Sequence, residues 1–162
     1  MCQLTEAIVN PANVHLRHGS GAGRAIAVAA GPVLDEQCRQ YIDQHGPLTV
    51  AEPMHTSAGR LAPAIQYVIH VAGPQSAQYS SPEQQQLCHQ RLKQAFTNCL
   101  QYANSVLRVH SVSIPAISSG NSLTAADIQG RVQDISLRGN GGGFLWRGSN
   151  PLATSLEVWG AL

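Results

Sequence analysis

An α/β domain, with a mostly parallel sheet covered by helices on both faces, is the fold class this sequence predicts from two observations. Short apolar runs suited to buried strands, at Ala7–Val9, Gln66–Ala72 and Val109–Ile114, alternate with segments of helical periodicity. Loops of glycine and serine follow two of those runs, at Gly19–Gly23 and Ser118–Gly120, where open α/β sheets bind their ligands. The chain has 162 residues, 43% hydrophobic and 12% charged, enough for one core and too little for two complete domains.

The elements follow in order. Asn10 to Asn13 stop the first strand with a polar turn, and Pro11 holds Asn10 extended at the strand's end. Ala22 to Ala30, small residues without an interior proline, form the first helix. Gly31-Pro32 resets the chain, and Leu34, Cys38, Tyr41 and Ile42 make one apolar face of a second helix over Val33–His45. Pro32 suits its first turn, Asp35 and Glu36 sit near its positive end, and Gly46-Pro47 ends it. Thr49–Thr56 reads as a strand that Pro53 demotes towards an edge, and Gly59–Ala64 as a turn before the strand Gln66–Ala72. Ser81-Pro82-Glu83-Gln84 carries a capping serine, a first-turn proline and the glutamine of a capping box. The helix it starts runs to about Asn104, with Leu87, Leu92, Ala95, Phe96, Cys99 and Ala103 as its apolar stripe. A last strand, Val109–Ile114, ends at Pro115. Thr124–Leu137 has weak helical character broken by Gly130, and Gly139–Gly143 with Trp146 and Trp159 shows no pattern that buries a face. The expected division is a domain over residues 1–122 and a divergent, poorly ordered tail over 123–162.

Composition excludes several function classes. The formal charge is +1 with scattered basic residues, so nucleic acid is not an expected partner. No apolar run is long enough to span a bilayer, and the first residues lack a signal peptide's basic start, so a cytoplasmic or nuclear location is expected. Cys2, Cys38, Cys88 and Cys99 form no CxxC pair and no regular spacing with histidine, which gives no metal motif and reads as buried thiols. His70 alternates within a strand and reads as a core histidine; His18 and Arg24 read as solvated loop charges.

The first loop carries the chemistry. Small residues feeding a helix let backbone N–H groups converge, and the helix's unpaired amides and positive dipole end favour an anion, with phosphate the expected ligand. The spacing His18-Gly19-Ser20-Gly21-Ala22-Gly23 matches neither a dinucleotide fingerprint nor a lysine-bearing phosphate loop.

Val9-Asn10-Pro11-Ala12-Asn13, the glycine loop and Ala29-Ala30-Gly31-Pro32 together resemble the opening of the macro domain, the ADP-ribose-binding module: V-N-A-A-N, a glycine-rich loop, A-I and A-A-G. Gln66–Pro74, QYVIHVAGP, is similar to the family's central strand, and Ser113–Asn121, SIPAISSGN, to its strand entering a second phosphate loop. The blocks keep order and approximate separation from about Glu6 to Asn121. The arginine-histidine loop and the SSG ending look most like macro modules found in tandem in ADP-ribosyltransferases of the poly(ADP-ribose) polymerase type.

The resemblance implies a three-layer α/β/α fold with a mixed, mostly parallel sheet, incomplete at both ends, and a ligand, ADP-ribose or a mono-ADP-ribosylated protein, without cofactor or metal. Gly19, Ser20, Gly21, Ala22 and Gly23 would hold one side of the pyrophosphate, and Ile117, Ser118, Ser119, Gly120 and Asn121 the other. Asn13 would aim its amide at the distal ribose, Asn10 would support the turn, and Ala12 would line the same site. The family's adenine-reading aspartate has no counterpart, since Glu6 lies too close to Asn10; a lost charged hydrogen bond costs about 1.5 to 3 kcal/mol. Ser122 stands where the family packs an aromatic near the ribose. The hydrolytic branch often has an aspartate and a histidine where this chain has Gly23 and Ala27, so no side chain is expected to activate water, and no catalytic residue is assigned. The resulting expectation is a reader of ADP-ribose; the alternatives are a weak ADP-ribosyl hydrolase and a truncated module that no longer binds.

Overall fold

The computed structural model describes residues 5–75, 80–115 and 117, together with the strands Phe144–Trp146 and Ser155–Gly160. Its elements are β1 (Ala7–Ala12), α1 (Gly21–Ala30), α2 (Pro32–His45), β2 (Pro53–Ser57), β3 (Tyr67–Ala72), α3 (Pro82–Tyr102), β4 (Ser111–Pro115), β5 (Phe144–Trp146) and β6 (Ser155–Gly160). One sheet runs in the order β2-β3-β1-β4-β6-β5. Its three inner strands, β3, β1 and β4, are parallel, whereas β2, β6 and β5 are antiparallel to their neighbours.

Strand alternation divides the core in two. Ala7 and Val9 of β1, with Ile69 and Val71 of β3, pack under α3 through Leu92, Ala95, Phe96 and Cys99. Val68 and Ala72 of β3 face the other way, into a second core built from Ile26, Ala27 and Ala30 of α1 and Leu34 and Cys38 of α2. Helices therefore cover both faces, which is why β3 is buried from Val68 to Ala72 without a polar side. The capping box of α3 is formed: the Ser81 hydroxyl accepts from the Gln84 amide, and the Gln84 side chain accepts from the Ser81 amide. Pro53 opens β2 at the sheet's edge, where its missing N–H is tolerated.

Two expectations are corrected. The first strand does not stop at Val9 but continues through Pro11 to Ala12, in full register with β3, so Asn10 is a strand residue paired with His70 and not a turn residue. Pro11 is compatible with this because its fixed φ suits extended backbone. Within the tail, two stretches without an apolar pattern nonetheless join the sheet, β6 against β4 and β5 against β6. Strand addition is driven by backbone hydrogen bonds at an open edge, which side-chain periodicity does not report. The expected helix over Thr124–Leu137 lies outside the described residues.

Candidate functional site

The site begins where β1 ends. Asn13, exposed, folds the following loop onto itself: its Oδ1 accepts from the amides of His15 (3.0 Å) and Arg17 (3.1 Å), and its Nδ2 donates to the Arg17 carbonyl (2.7 Å). Asn13 therefore shapes the loop, the turn chemistry asparagine favours, and its Nδ2 keeps a second N–H beyond the one given to Arg17. Leu16 enters the loop with a positive φ of 53° and is anchored in the α1/α2 core. Gly19, Ser20, Gly21 and Ala22 follow, all exposed.

The start of α1 is open to an anion. Ser20 is its N-cap, extended at φ −158° and ψ 173°, but its side chain makes no capping hydrogen bond, and the first turn has no acidic residue. The first helical hydrogen bond near this end runs from the Arg24 amide to the Ser20 carbonyl at 3.3 Å. The amides of Gly21, Ala22 and Gly23 therefore precede any intrahelical acceptor and point out of the helix end. Gly21 turns the chain with a φ of +62°, which a side chain disfavours, and a Cβ on Gly19 or Gly21 would meet nothing within 4 Å. Gly23 is different: it is buried, and a Cβ there would lie 3.1 Å from Asn10 Oδ1 and 3.2 Å from the Pro11 carbonyl. Its small size lets α1 sit on β1, so it is a packing glycine more than a loop glycine.

Beneath this loop lies a buried polar chain that the sequence did not signal. Asn10, fully buried, places Nδ2 3.0 Å from His70 Nδ1, and Thr56 Oγ1 lies 3.0 Å from His70 Nε2. Burial first, then the neighbouring His18 and His55, push the His70 pKa down to about 3, so the ring is neutral. His18 is corrected from a solvated charge to a side chain only 4% exposed, its Nδ1 3.0 Å from Asp35 Oδ1 on α2. Cys38 is buried 3.8 Å from His70 Nε2, and burial, then Asp35, raise its thiol pKa to about 12. Cys88 and Cys99 are buried as expected.

The other half of the expected site is only partly described. Ile117, expected to line the ligand, is fully buried in the core under α3. Ser118, Ser119, Gly120 and Asn121 lie outside the described residues. β1 and β4 are parallel neighbours, so their carboxyl ends lie at one end of the sheet. Glu6 sits at the opposite end of β1, where its carboxylate accepts from the His110 amide at 2.7 Å, and takes no part. An open groove of about 1280 Å³ runs beside the loop between α1 and α2, lined by Arg17, Arg24, Arg39, Arg60 and Asp35 among others. Among the described residues no helix is long and apolar enough to cross a membrane.

The comparisons with known proteins bear on this geometry. The family model described as the Macro domain matches residues 9–128. Human protein mono-ADP-ribosyltransferase PARP14 is 34% identical over 115 residues, 71% of this chain and 6% of that protein. An O-acetyl-ADP-ribose deacetylase of Salmonella newport is 36% identical over 115 residues, 71% of this chain and 60% of that protein. Among solved structures, a mutant macrodomain of Oceanobacillus iheyensis with ADPR superposes with a TM-score of 0.71 at 29% identity, covering 81% of this chain and 68% of that one. The chain spans less than two thirds of the curated relatives it matches, 57% of two of them and 60% of the Salmonella protein.

Proposed function

The chain belongs to the macro domain family, and from that premise we propose that it is a reader: a module that binds ADP-ribose, free or on mono-ADP-ribosylated protein, and performs no chemistry on it. The single observation that carries this reading is the uncapped start of α1, where the amides of the exposed Gly21 and Ala22 have no intrahelical acceptor and the Ser20 side chain makes no cap. A pyrophosphate is a dianion with acceptor oxygens on every side, and such a helix end meets it with donors and dipole together. The loop after β4, through Ser118, Ser119, Gly120 and Asn121, would close over it from the neighbouring strand.

A weak hydrolase is the second reading, favoured by the likeness to the Salmonella deacetylase. Against it stands the composition of the loop. Gly23 and Ala27 offer neither carboxylate nor imidazole, and the nearest imidazole, His18, is buried with one nitrogen held by Asp35. A general base must reach the attacking water, and this ring faces the protein interior. The test is isothermal titration of the purified chain with ADP-ribose beside Gly21→Glu, whose charge and bulk would fill the helix end. Saturable heat that vanishes in the variant supports the reader; no heat from a chain that melts cooperatively refutes it. Release of ADP-ribose from a modified protein, monitored in the same samples, would replace the reader with the hydrolase.

A further inference from the structure

The buried chain under the loop has an arrangement that neither phosphate binding nor core packing requires. One ring nitrogen of His18, one of His70 and the Cys38 sulfur all lie within 4.8 Å of one another. The three residues come from the glycine loop, β3 and α2, and their rings and thiol are buried. The hydrogen bonds fix which atoms are free. A carboxylate only accepts, so His18 Nδ1, 3.0 Å from Asp35 Oδ1, is the nitrogen that carries the proton. The other nitrogen, Nε2, is buried with no hydrogen-bond partner. Asn10 Nδ2 donates to His70 Nδ1, so the His70 proton sits on Nε2, which lies 3.0 Å from Thr56 Oγ1 and 3.8 Å from Cys38 Sγ.

A histidine that donates its outer N–H to a carboxylate, as His18 does to Asp35, has the support that metal-ligating histidines use. We propose that His18, Cys38 and His70 form a binding site for a divalent cation of the zinc type. Two imidazoles and a thiolate are a borderline-soft donor set suited to a tetrahedral ion, with donors about 3.5 Å apart when bound. Closing from within 4.8 Å needs a shift of about 1 Å. The fourth position falls to the Thr56 hydroxyl, 3.0 Å from His70 Nε2, or to water.

Binding requires two proton movements. The Cys38 thiol releases its proton to solvent as the sulfur–metal bond forms, and the His70 proton moves from Nε2 to Nδ1 so that Nε2 can donate its lone pair. Rotation of the Asn10 amide accommodates the second: its Oδ1, buried without a partner, then accepts from His70 Nδ1. The rotation places Nδ2 where Oδ1 lay, and the ion takes up the lone pair of His18 Nε2. The bound ion would tie the glycine loop to α2 and β3, and the site does not depend on the identity of the ligand above it.

The test uses the full chain, stripped with chelator and titrated with Co²⁺, then Zn²⁺. One equivalent of cobalt is expected to give tetrahedral ligand-field bands and a sulfur-to-cobalt charge-transfer band that zinc displaces. Cys38→Ala removes the charge-transfer band, His18→Ala and Asp35→Asn weaken cobalt at least tenfold, and Cys99→Ala, on the other face of the sheet, leaves the spectrum unchanged. Each variant is checked without metal by thermal melt; should His18→Ala fail to fold, Asp35→Asn, at an exposed carboxylate, carries the same comparison. Absence of the charge-transfer band in the native chain, or its survival in Cys38→Ala, overturns the proposal.

Discussion

Replacing Ser20 by Asp separates the stability of the loop from its role as an anion site. Ser20 already has N-cap geometry but makes no side-chain cap, and no acid occupies the first turn of α1. A carboxylate there gains the N-terminal dipole and accepts from a free amide, worth about 0.3–1 kcal/mol at an exposed site. For a chain of this size the melting midpoint should rise by roughly 1–4 °C. The same carboxylate sits where the pyrophosphate would approach. Two unit charges about 4 Å apart at an effective dielectric constant near 20 repel by about 4 kcal/mol. Solvent screening at the exposed loop reduces this to about half, and the competition for the same amides adds to it. Affinity for ADP-ribose should therefore fall by about 100-fold while the folded chain becomes more stable. Paired scanning calorimetry and isothermal titration measure the two effects on one preparation. Binding unchanged in a chain whose midpoint has risen would place the phosphates elsewhere and refute the helix-end argument.

Four further outcomes follow from the geometry. Asn13→Ala removes three loop hydrogen bonds, so affinity should drop about tenfold; hydrogen exchange at the His15 and Arg17 amides should quicken while the melt barely moves, and an unchanged exchange rate would contradict the loop-shaping role. Asn10→Ala strips the buried partner from His70 Nδ1 and should destabilise by about 1–3 kcal/mol in urea titration; a neutral result would show that the polar pair does not support the core. Ser81→Ala breaks the capping box of α3 and should cost about 1 kcal/mol with binding intact, since α3 covers the opposite face of the sheet. With chelator present, stability should decline as pH falls. His70 is neutral in the folded chain down to about pH 3, whereas the unfolded chain takes up that proton below its ordinary pKa near 6.5. The unfolded state then binds more protons, giving a loss of up to about 1.4 kcal/mol per pH unit between those limits. His70→Gln should flatten that slope, and an unaltered slope would assign it to other groups.

Periodicity and punctuation made most of the fold legible. The second and third helices follow from a stripe of apolar residues bounded by glycine-proline or a capping box, and the edge position of β2 follows from Pro53. These signals are local, so a sequence carries them directly. What was not legible depends on partners distant along the chain. Asn10 looks like a turn residue beside Pro11, yet register with β3 sets it opposite His70, sixty residues away, and fixes it in the strand. His18 looks solvated in a run of polar and small residues, yet the fold turns its ring inward against Asp35. No spacing rule joins His18, Cys38 and His70, because loop, helix and strand each contribute one donor. At position 13 the motif suggests a ligand contact, and what only the fold reveals is that the same side chain bonds His15 and Arg17 and so shapes the loop leading into α1.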